Sequence, residues 1–299
     1  MSTFPKIIES LSHLLEQHYI LPGRVPEIVT SLTILNGPTG EQDDGGDDLV
    51  ASLNDALLRA SKDRHLRVRR RPSPKSDGGY AGWQHRMRCE AIDNAGGIQS
   101  VTRLDDRVTI ITIAPYLSSI ELARPYIDAA LQLVAGTSHL VLDVRDGRGG
   151  TPETVALICG YLLGDRAVHL QDVIERDGSL RQFWTVPETH RLPEMVPVSV
   201  LTSSLTFSGC EELAYDLQAL GRATIVGERT MGGAHPVHPF PLTDILEVSI
   251  PVAKSRSAIT GTNWEGTGIT PDVGCAAGDA LTVALERVGT DARAGLSWG

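Results

Sequence analysis

The sequence predicts an α/β fold with a helical cap at its N-terminus. From about residue 98 onward, apolar runs of four to seven residues alternate with longer helical patterns, which is typical of a mostly parallel sheet covered on both faces. The first 60 residues, in contrast, show helical spacing alone. The 299 residues, 41% hydrophobic and 21% charged, are enough for a core of about 200 residues and a smaller appendage.

Three helices are predicted for the cap, residues 1–62. The first has one apolar face and Pro5 in its first turn; the face contains Phe4, Ile7, Ile8, Leu11, Leu14, Leu15 and Tyr19. A second helix over 26–35 should stop at Asn36-Gly37-Pro38. An acidic, glycine-rich loop over 37–47 and a third helix over 49–60 follow.

A connector is predicted over 63–97. Residues 65–70 alternate as in a strand, and 72–82, with two prolines and three glycines, are interpreted as a surface loop. The basic stretch 62–75 fits a charged strand edge that resists aggregation. Attraction of an anionic or carboxylate-bearing substrate is the alternative interpretation.

The core is predicted over 98–299. Strands are expected at 108–114, 139–145, 198–202 and 223–226, and helices at 119–134, 152–163 and 208–220. The segment between residues 163 and 198 is interpreted as rich in loops.

Charge and cysteine content exclude several functions. A net charge of −10 repels phosphate backbones and anionic lipid, so we expect neither nucleic acid nor a membrane as partner. The sequence has no basic N-terminal region with an apolar run, and we expect a cytoplasmic protein. The four cysteines form no CxxC pattern, which predicts reduced thiols and no zinc site. We expect no metal and no cofactor.

Two predicted strand-to-helix junctions could hold chemistry. Asp146-Gly-Arg-Gly-Gly150 precedes a helix start at Thr151-Pro-Glu153, where glycines permit close approach and N–H groups favour negative charge. A tight turn is the equally good alternative. Ser208, at the second junction, could be a nucleophile with the Gly209 N–H as an oxyanion donor. However, Ser208 with Glu211 also matches a capping box, which spacing alone favours.

Four ordered motifs resemble peptidase family S41, which includes C-terminal processing proteases, the tricorn core and interphotoreceptor retinoid-binding proteins. They are Leu142-Asp-Val-Arg-Asp-Gly-Arg-Gly-Gly150, Leu201-Thr-Ser-Ser-Leu-Thr-Phe-Ser-Gly-Cys-Glu-Glu212, Gly221-Arg-Ala-Thr-Ile-Val-Gly-Glu-Arg-Thr-Met-Gly-Gly233 and Trp264-Glu-Gly-Thr-Gly-Ile-Thr-Pro-Asp272. The resemblance covers about residues 97–273 and implies a crotonase-like (ClpP/crotonase-type) core.

The resemblance also implies site residues. Ser208 would be the nucleophile, and the oxyanion hole would combine the Gly209 N–H with one from Gly149 or Gly150. Gly233 stands where processing proteases have their catalytic lysine. The sequence is therefore nearer the tricorn and retinoid-binding branch, which lacks that lysine.

That branch uses a histidine in an Asp-x-His motif and a glutamate near Gly-x-x-Pro-Asp. Here Asp63-Arg-His65 and Glu265 fill these positions. His65 would be the general base and Glu265 the acid that orients it. His235 is the reserve base. A metal at His235 and His238 is disfavoured because prolines flank both residues and no third ligand is nearby.

Three departures from the family pattern stand out. Gly147 replaces the usual asparagine, which removes a hydrogen bond that would brace the turn, and Arg64 replaces a serine that links histidine and glutamate. The stretch 71–97 is too short for a PDZ-like segment, so a protease of the processing type is not expected.

The leading hypothesis is a serine hydrolase that cleaves a peptide or a small amide or ester through an acyl-enzyme on Ser208. One alternative is a non-catalytic module that binds a small hydrophobic ligand. The other is an acyl-transfer or cyclisation enzyme of a biosynthetic pathway. Pairing of exposed sheet edges makes a homo-oligomer a further expectation.

Overall fold

The structure is a computed structural model that describes residues 4–35, 46–71, 79–104 and 107–294. Its contacts divide the chain into two compact units. The cap unit contains residues 1–83, 173–181 and 235–256, and the core unit contains residues 84–172, 182–234 and 257–299.

The helices and strands below are those of the described residues. The helices are α1 (Phe4–His18), α2 (Val25–Thr33), α3 (Asp47–Ser61), α4 (Gly79–Asp93), α5 (Ile120–Gln132), α6 (Pro152–Leu162), α7 (Gly209–Ala219) and α8 (Ala280–Ala294). The strands are β1 (Arg67–Arg70), β2 (Ile98–Arg103), β3 (Val108–Ile113), β4 (His139–Asp143), β5 (His169–Glu175), β6 (Leu180–Trp184), β7 (Val198–Thr202), β8 (Thr224–Gly227), β9 (Val237–Pro241), β10 (Leu246–Pro251), β11 (Ala253–Ser257) and β12 (Val273–Gly274).

The cap unit packs three helices against a small sheet. The helices α1, α2 and α3 confirm the three predicted from apolar spacing, and β1 confirms the predicted strand. The strands β1, β10 and β9 form an antiparallel sheet in that order. One apolar core joins helices and sheet because Leu11, Leu53 and Val248 belong to the same buried cluster.

The core unit is built on the expected, mostly parallel sheet. Its strand order is β12-β8-β7-β4-β3-β2, with β2 antiparallel to β3 and the remaining pairs parallel. Asp143 at the end of β4 lies opposite Thr112 and Leu201, and Thr202 lies opposite Gly227. The loops that follow β4 and β7 therefore leave the same edge of the sheet, where open α/β sheets bind ligands.

Both faces of this sheet are covered, which explains its continuously apolar strands. Leu140 and Leu142 of β4 belong to the buried cluster that contains residues of α5, α6 and α7. Val141 between them packs on the opposite face with Ala280 and Ala284 of α8. Side chains alternate across the strand, and each face has its own apolar partner.

Two sequence-based expectations were wrong. The segment interpreted as loop-rich contains β5 and β6, which pair with β11 in a second three-stranded sheet. Their apolar residues are interrupted by charged and amide side chains, which hides the strand pattern. The loop predicted over 72–82 gives way at Gly79 to α4, a polar helix with no apolar stripe. Residues 72–78 and most of the acidic loop over 37–47 lie outside the described residues.

Among the described residues, no helix is long and apolar enough to cross a membrane. The four cysteines are free thiols, with Cys159 and Cys210 buried and Cys89 exposed.

Candidate active site

Ser208 occupies a strained turn between β7 and α7. Its backbone has φ 53° and ψ −126°, a conformation that costs a non-glycine residue about 1–3 kcal/mol. A nucleophile on a sharp strand-to-helix turn has this feature, because the turn exposes the hydroxyl at the sheet edge. The strain therefore favours a functional role for Ser208 over a simple helix cap.

Hydrogen bonds to the first junction hold this turn in place. The Phe207 N–H donates to the Gly147 carbonyl at 3.0 Å, and the Thr206 hydroxyl donates to the Val144 carbonyl at 2.9 Å. The Ser203 hydroxyl donates to the Arg145 carbonyl at 2.6 Å. The two junctions predicted from the sequence are thus joined directly.

The predicted oxyanion glycines lie beside Ser208. A methyl group placed on Gly149 would be 3.7 Å from Ser208 Oγ, and a β-carbon placed on Gly209 would be 2.6 Å from the Gly150 nitrogen. Gly149 also has φ 152°, a backbone conformation that side chains disfavour. The structure therefore brings together Ser208, Gly149, Gly150 and Gly209, and the close approach needs the glycines.

Glu211 anchors the nucleophile turn to the loop 230–233. Its carboxylate accepts the Ser208 N–H at 2.8 Å, as the predicted capping box requires. It also accepts the Thr230 hydroxyl at 2.5 Å and the N–H groups of Gly232 and Gly233 at 2.7 and 2.9 Å. Burial raises the pKa of Glu211 to about 7, and the four hydrogen bonds oppose that rise.

Glu265 is held in the core unit at the same loop. Its carboxylate accepts the Ala234 N–H at 2.6 Å, and the indole of the buried Trp264 donates to the Gly233 carbonyl at 2.8 Å. The Trp264–Glu265 motif is thereby fixed to the Gly233 region.

Asp63 organises the candidate bases in the cap unit. Its carboxylate accepts the His65 backbone N–H at 2.9 Å and the Tyr19 hydroxyl at 3.3 Å. His235 Nδ1 lies 3.2 Å from Asp63 Oδ2. Burial raises the pKa of Asp63, but the hydrogen bond and charge of His235, with His65, outweigh burial and leave that pKa lowered.

The two predicted bases differ in their surroundings. Burial lowers the pKa of His65 to about 4, with the attraction of Asp63 opposing and the charges of His235 and Arg67 adding to the decrease. His65 is consequently neutral at pH 7 and able to accept a proton. His235 is oriented by Asp63 as a triad histidine is oriented by its acid. His238 is exposed on β9 whereas His235 is buried, which gives the pair no common ligand face.

The basic stretch is engaged in ion pairs. Arg69 contacts Glu247 on the neighbouring strand β10, and Arg70 contacts Asp47. These contacts favour the interpretation as a charged strand edge.

Sequence reasoning assigned no role to Asp63, and it treated Glu211 only as a helix cap. The Asp-x-His motif was the signal for Asp63, because a carboxylate two residues before a histidine can accept that residue's N–H. Thr230 and Gly232 gave no local signal, since they reach Glu211 from about 20 residues away.

Family comparisons agree with this architecture. Residues 107–275 match Peptidase family S41, and residues 1–87 match the N-terminal domain of Peptidase S41 in eukaryotic IRBP. The first match covers more than half of the sequence. The chain belongs to peptidase family S41, which confirms the resemblance drawn from the four motifs.

Within that family, carboxyl-terminal-processing peptidase 2, chloroplastic, of Arabidopsis thaliana is 29% identical over 141 residues. The match covers 44% of this chain and 25% of the relative, so it spans about a quarter of the relative's length.

Solved structures share the fold over nearly the whole chain. A protein from Parabacteroides merdae ATCC 43184 has a TM-score of 0.67 at 20% identity, covering 96% of this chain and 97% of its own. A lipoprotein from Streptococcus agalactiae has a TM-score of 0.61 at 15% identity, covering 97% and 98%. The photosystem II D1 C-terminal processing protease has a TM-score of 0.52 at 15% identity, covering 93% and 94%.

Proposed function

We propose that this protein is a serine hydrolase of the S41 type, with a crotonase-like core, that cleaves a peptide or a small amide or ester. The observation that carries the proposal is the strained, positive-φ backbone of Ser208 beside the glycine turn at 149–150. A helix cap alone needs neither the strain nor three glycines packed around it.

The reaction would proceed through an acyl-enzyme. A general base takes the proton of Ser208 Oγ, the oxygen attacks the substrate carbonyl, and the N–H groups of Gly209 and Gly150 stabilise the resulting oxyanion. Collapse expels the amine or alcohol, which receives the proton from the base. Water then repeats the sequence at the acyl carbonyl and frees Ser208.

For the base we propose His65, with Glu265 as its orienting acid, as the family motifs imply. The neutral state of His65 at pH 7 supports this role. His235 is the second candidate base, and its contact with Asp63 supports it. In that arrangement Asp63, and not Glu265, would hold the imidazole.

The nucleophile is tested by labelling with a fluorophosphonate probe, followed by intact mass. We expect one adduct on the wild-type protein and none on Ser208→Ala. Ser204→Ala is the matched control, because Ser204 is an exposed serine four residues earlier in the same loop. Full labelling of Ser208→Ala would refute the proposal, and an unlabelled wild type would favour the ligand-binding alternative.

The base is tested with the same probe. His65→Ala should slow labelling by about 100-fold or more if His65 is the base, whereas His238→Ala, at an exposed histidine, should not. A large loss in His235→Ala alone would transfer the role to His235 and Asp63.

The pH profile gives a further prediction for His65. A general base must be neutral, and the pKa of His65 is lowered to about 4. The labelling rate of the wild-type protein should therefore persist below pH 6 and fall only as the pH approaches about 4. A rate already halved near the ordinary histidine pKa of about 6.5 would contradict this assignment.

Finally, product mass separates hydrolysis from acyl transfer. Hydrolysis adds water to the acyl group, whereas cyclisation or transfer to another nucleophile does not.

A further inference from the structure

Cys210 lies directly beneath the proposed oxyanion loop. It is the second residue of α7 and is fully buried. Its thiol donates a hydrogen bond to the Gly149 carbonyl, with Sγ 3.3 Å from the oxygen. The Leu117 N–H donates to the same oxygen at 3.0 Å. Two donors thus fix the direction of one carbonyl.

The fixed carbonyl determines where the next N–H points. In a trans peptide the C=O of one residue and the N–H of the next point to opposite sides. Anchoring the Gly149 carbonyl in the interior therefore turns the Gly150 N–H away from Cys210. Among the described residues, neither the Gly150 N–H nor the Gly209 N–H donates to a backbone carbonyl outside the regular helices and strands.

The thiol also fills the interior of the glycine turn. A β-carbon placed on Gly147 would be 2.6 Å from Cys210 Sγ and 2.9 Å from its Cβ. Gly147 is itself bonded on both sides, with its N–H to the Val144 carbonyl and its carbonyl to the Phe207 N–H. The sulfur occupies the space that a side chain at position 147 would need.

The thiol remains protonated under ordinary conditions. Burial raises the pKa of Cys210 to about 12. A thiol with this pKa is a hydrogen-bond donor and not a nucleophile at neutral pH.

We propose that Cys210 is a positioning residue of the reaction, whose S–H group holds the Gly149–Gly150 peptide so that the Gly150 N–H remains an oxyanion donor beside Ser208. This proposal rests on the proposed function. Gly147 has no side chain that could brace the turn, and Cys210 on α7 supplies the contact instead.

The test compares Cys210→Ala with Cys210→Ser, which differ only by a hydroxyl donor. Fluorophosphonate labelling is measured across probe concentrations to separate the saturating rate constant from the half-saturating concentration. We expect Cys210→Ala to lower the saturating rate constant about tenfold, less than the loss of a whole oxyanion donor. The half-saturating concentration should stay within about twofold, and Cys210→Ser should recover most of the rate.

Cys159→Ala is the matched control, because Cys159 is an equally buried thiol on α6. It should lose thermal stability as Cys210→Ala does, yet keep the wild-type labelling rate. Equal rates for Cys210→Ala, Cys210→Ser and wild type would overturn the inference, as would equal losses in the alanine and serine variants. An unlabelled wild type would instead overturn the proposed function.

Discussion

Two neighbouring glutamates on α7 are both buried but differ in the hydrogen bonds that they receive. Glu211 faces the nucleophile turn and receives four hydrogen bonds. Glu212, the next residue, faces the apolar interior with Asp216 one turn further along. The comparison indicates that hydrogen-bond donors, and not burial alone, determine how far the pKa of a buried acid rises.

The face of α7 that carries Glu212 and Asp216 receives few hydrogen bonds. Gln171 donates to Asp216 Oδ1 at 2.9 Å, but among the described residues Glu212 Oε1 and Asp216 Oδ2 accept no hydrogen bond. Burial raises the pKa of Glu212 well above its ordinary value, and the nearby Asp216 and Glu153 add to this. Burial also raises the pKa of Asp216 to about 8. We infer that this face is neutral at pH 7.

The largest expected effect comes from Glu211→Gln. The amide replaces one acceptor oxygen by a donor, which then opposes the N–H groups that the carboxylate accepts. We expect the free energy of unfolding to fall by about 3 kcal/mol or more. Nearly all fluorophosphonate labelling should be lost as well. Urea denaturation and intact mass measure the two effects. A stable, fully labelled variant would show that the second carboxylate oxygen of Glu211 is dispensable.

The next effect is a change in the pH dependence of stability in Asp216→Asn. In the unfolded chain Asp216 loses its proton near the ordinary pKa of 3.8, whereas in the folded chain it keeps the proton up to about pH 8. The folded state binds the extra proton, so its stability is full below 3.8 and is lost as the pH rises through 8. Removing the group should reduce this slope by about 1.4 kcal/mol per pH unit.

Denaturation at a series of pH values between about 5 and 7 checks this slope. The variant should equal the wild type in acid and exceed it near neutrality. Glu212→Gln should act in the same direction, because its pKa is raised as well. A variant with the wild-type slope would indicate that Asp216 is ionised in the folded protein. The comparison between the two faces of α7 would then fail.

The contrast also marks the limit of what the sequence could predict. The capping-box spacing predicted the contact of Glu211 with Ser208, and continuous apolar runs predicted β3, β4 and β7. Spacing did not reveal Thr230 and Gly232 as partners of Glu211, because only the fold brings these distant residues together. It also missed β5 and β6, where charged and amide residues interrupt both a continuous apolar run and a strict alternation.

The candidate site was likewise predictable from the sequence only in part. Their places at strand ends made Ser208 and the glycines candidates, and the resemblance to family S41 implied their roles. The contact between Asp63 and His235 joins residues 172 positions apart through a sheet of the cap unit that the sequence did not predict. A polar pair of this kind has no local pattern, so it became visible only in the structure.

The smallest effect is expected from Thr230→Val, which removes one hydrogen-bond donor to Glu211 and changes the side-chain volume little. The Thr230 hydroxyl donates to Glu211 and accepts the Ile269 N–H at 2.8 Å, so both partners lose a hydrogen bond. We expect a loss of about 1–2 kcal/mol in the free energy of unfolding, with labelling retained through the three remaining donors.

Because the removed donor favours the carboxylate, the pKa of Glu211 should rise further. The stability deficit of the variant should therefore grow as the pH rises through about 7, the present pKa of Glu211. A deficit that does not change with pH would mean that the Thr230 hydroxyl does not favour the Glu211 carboxylate over the carboxylic acid.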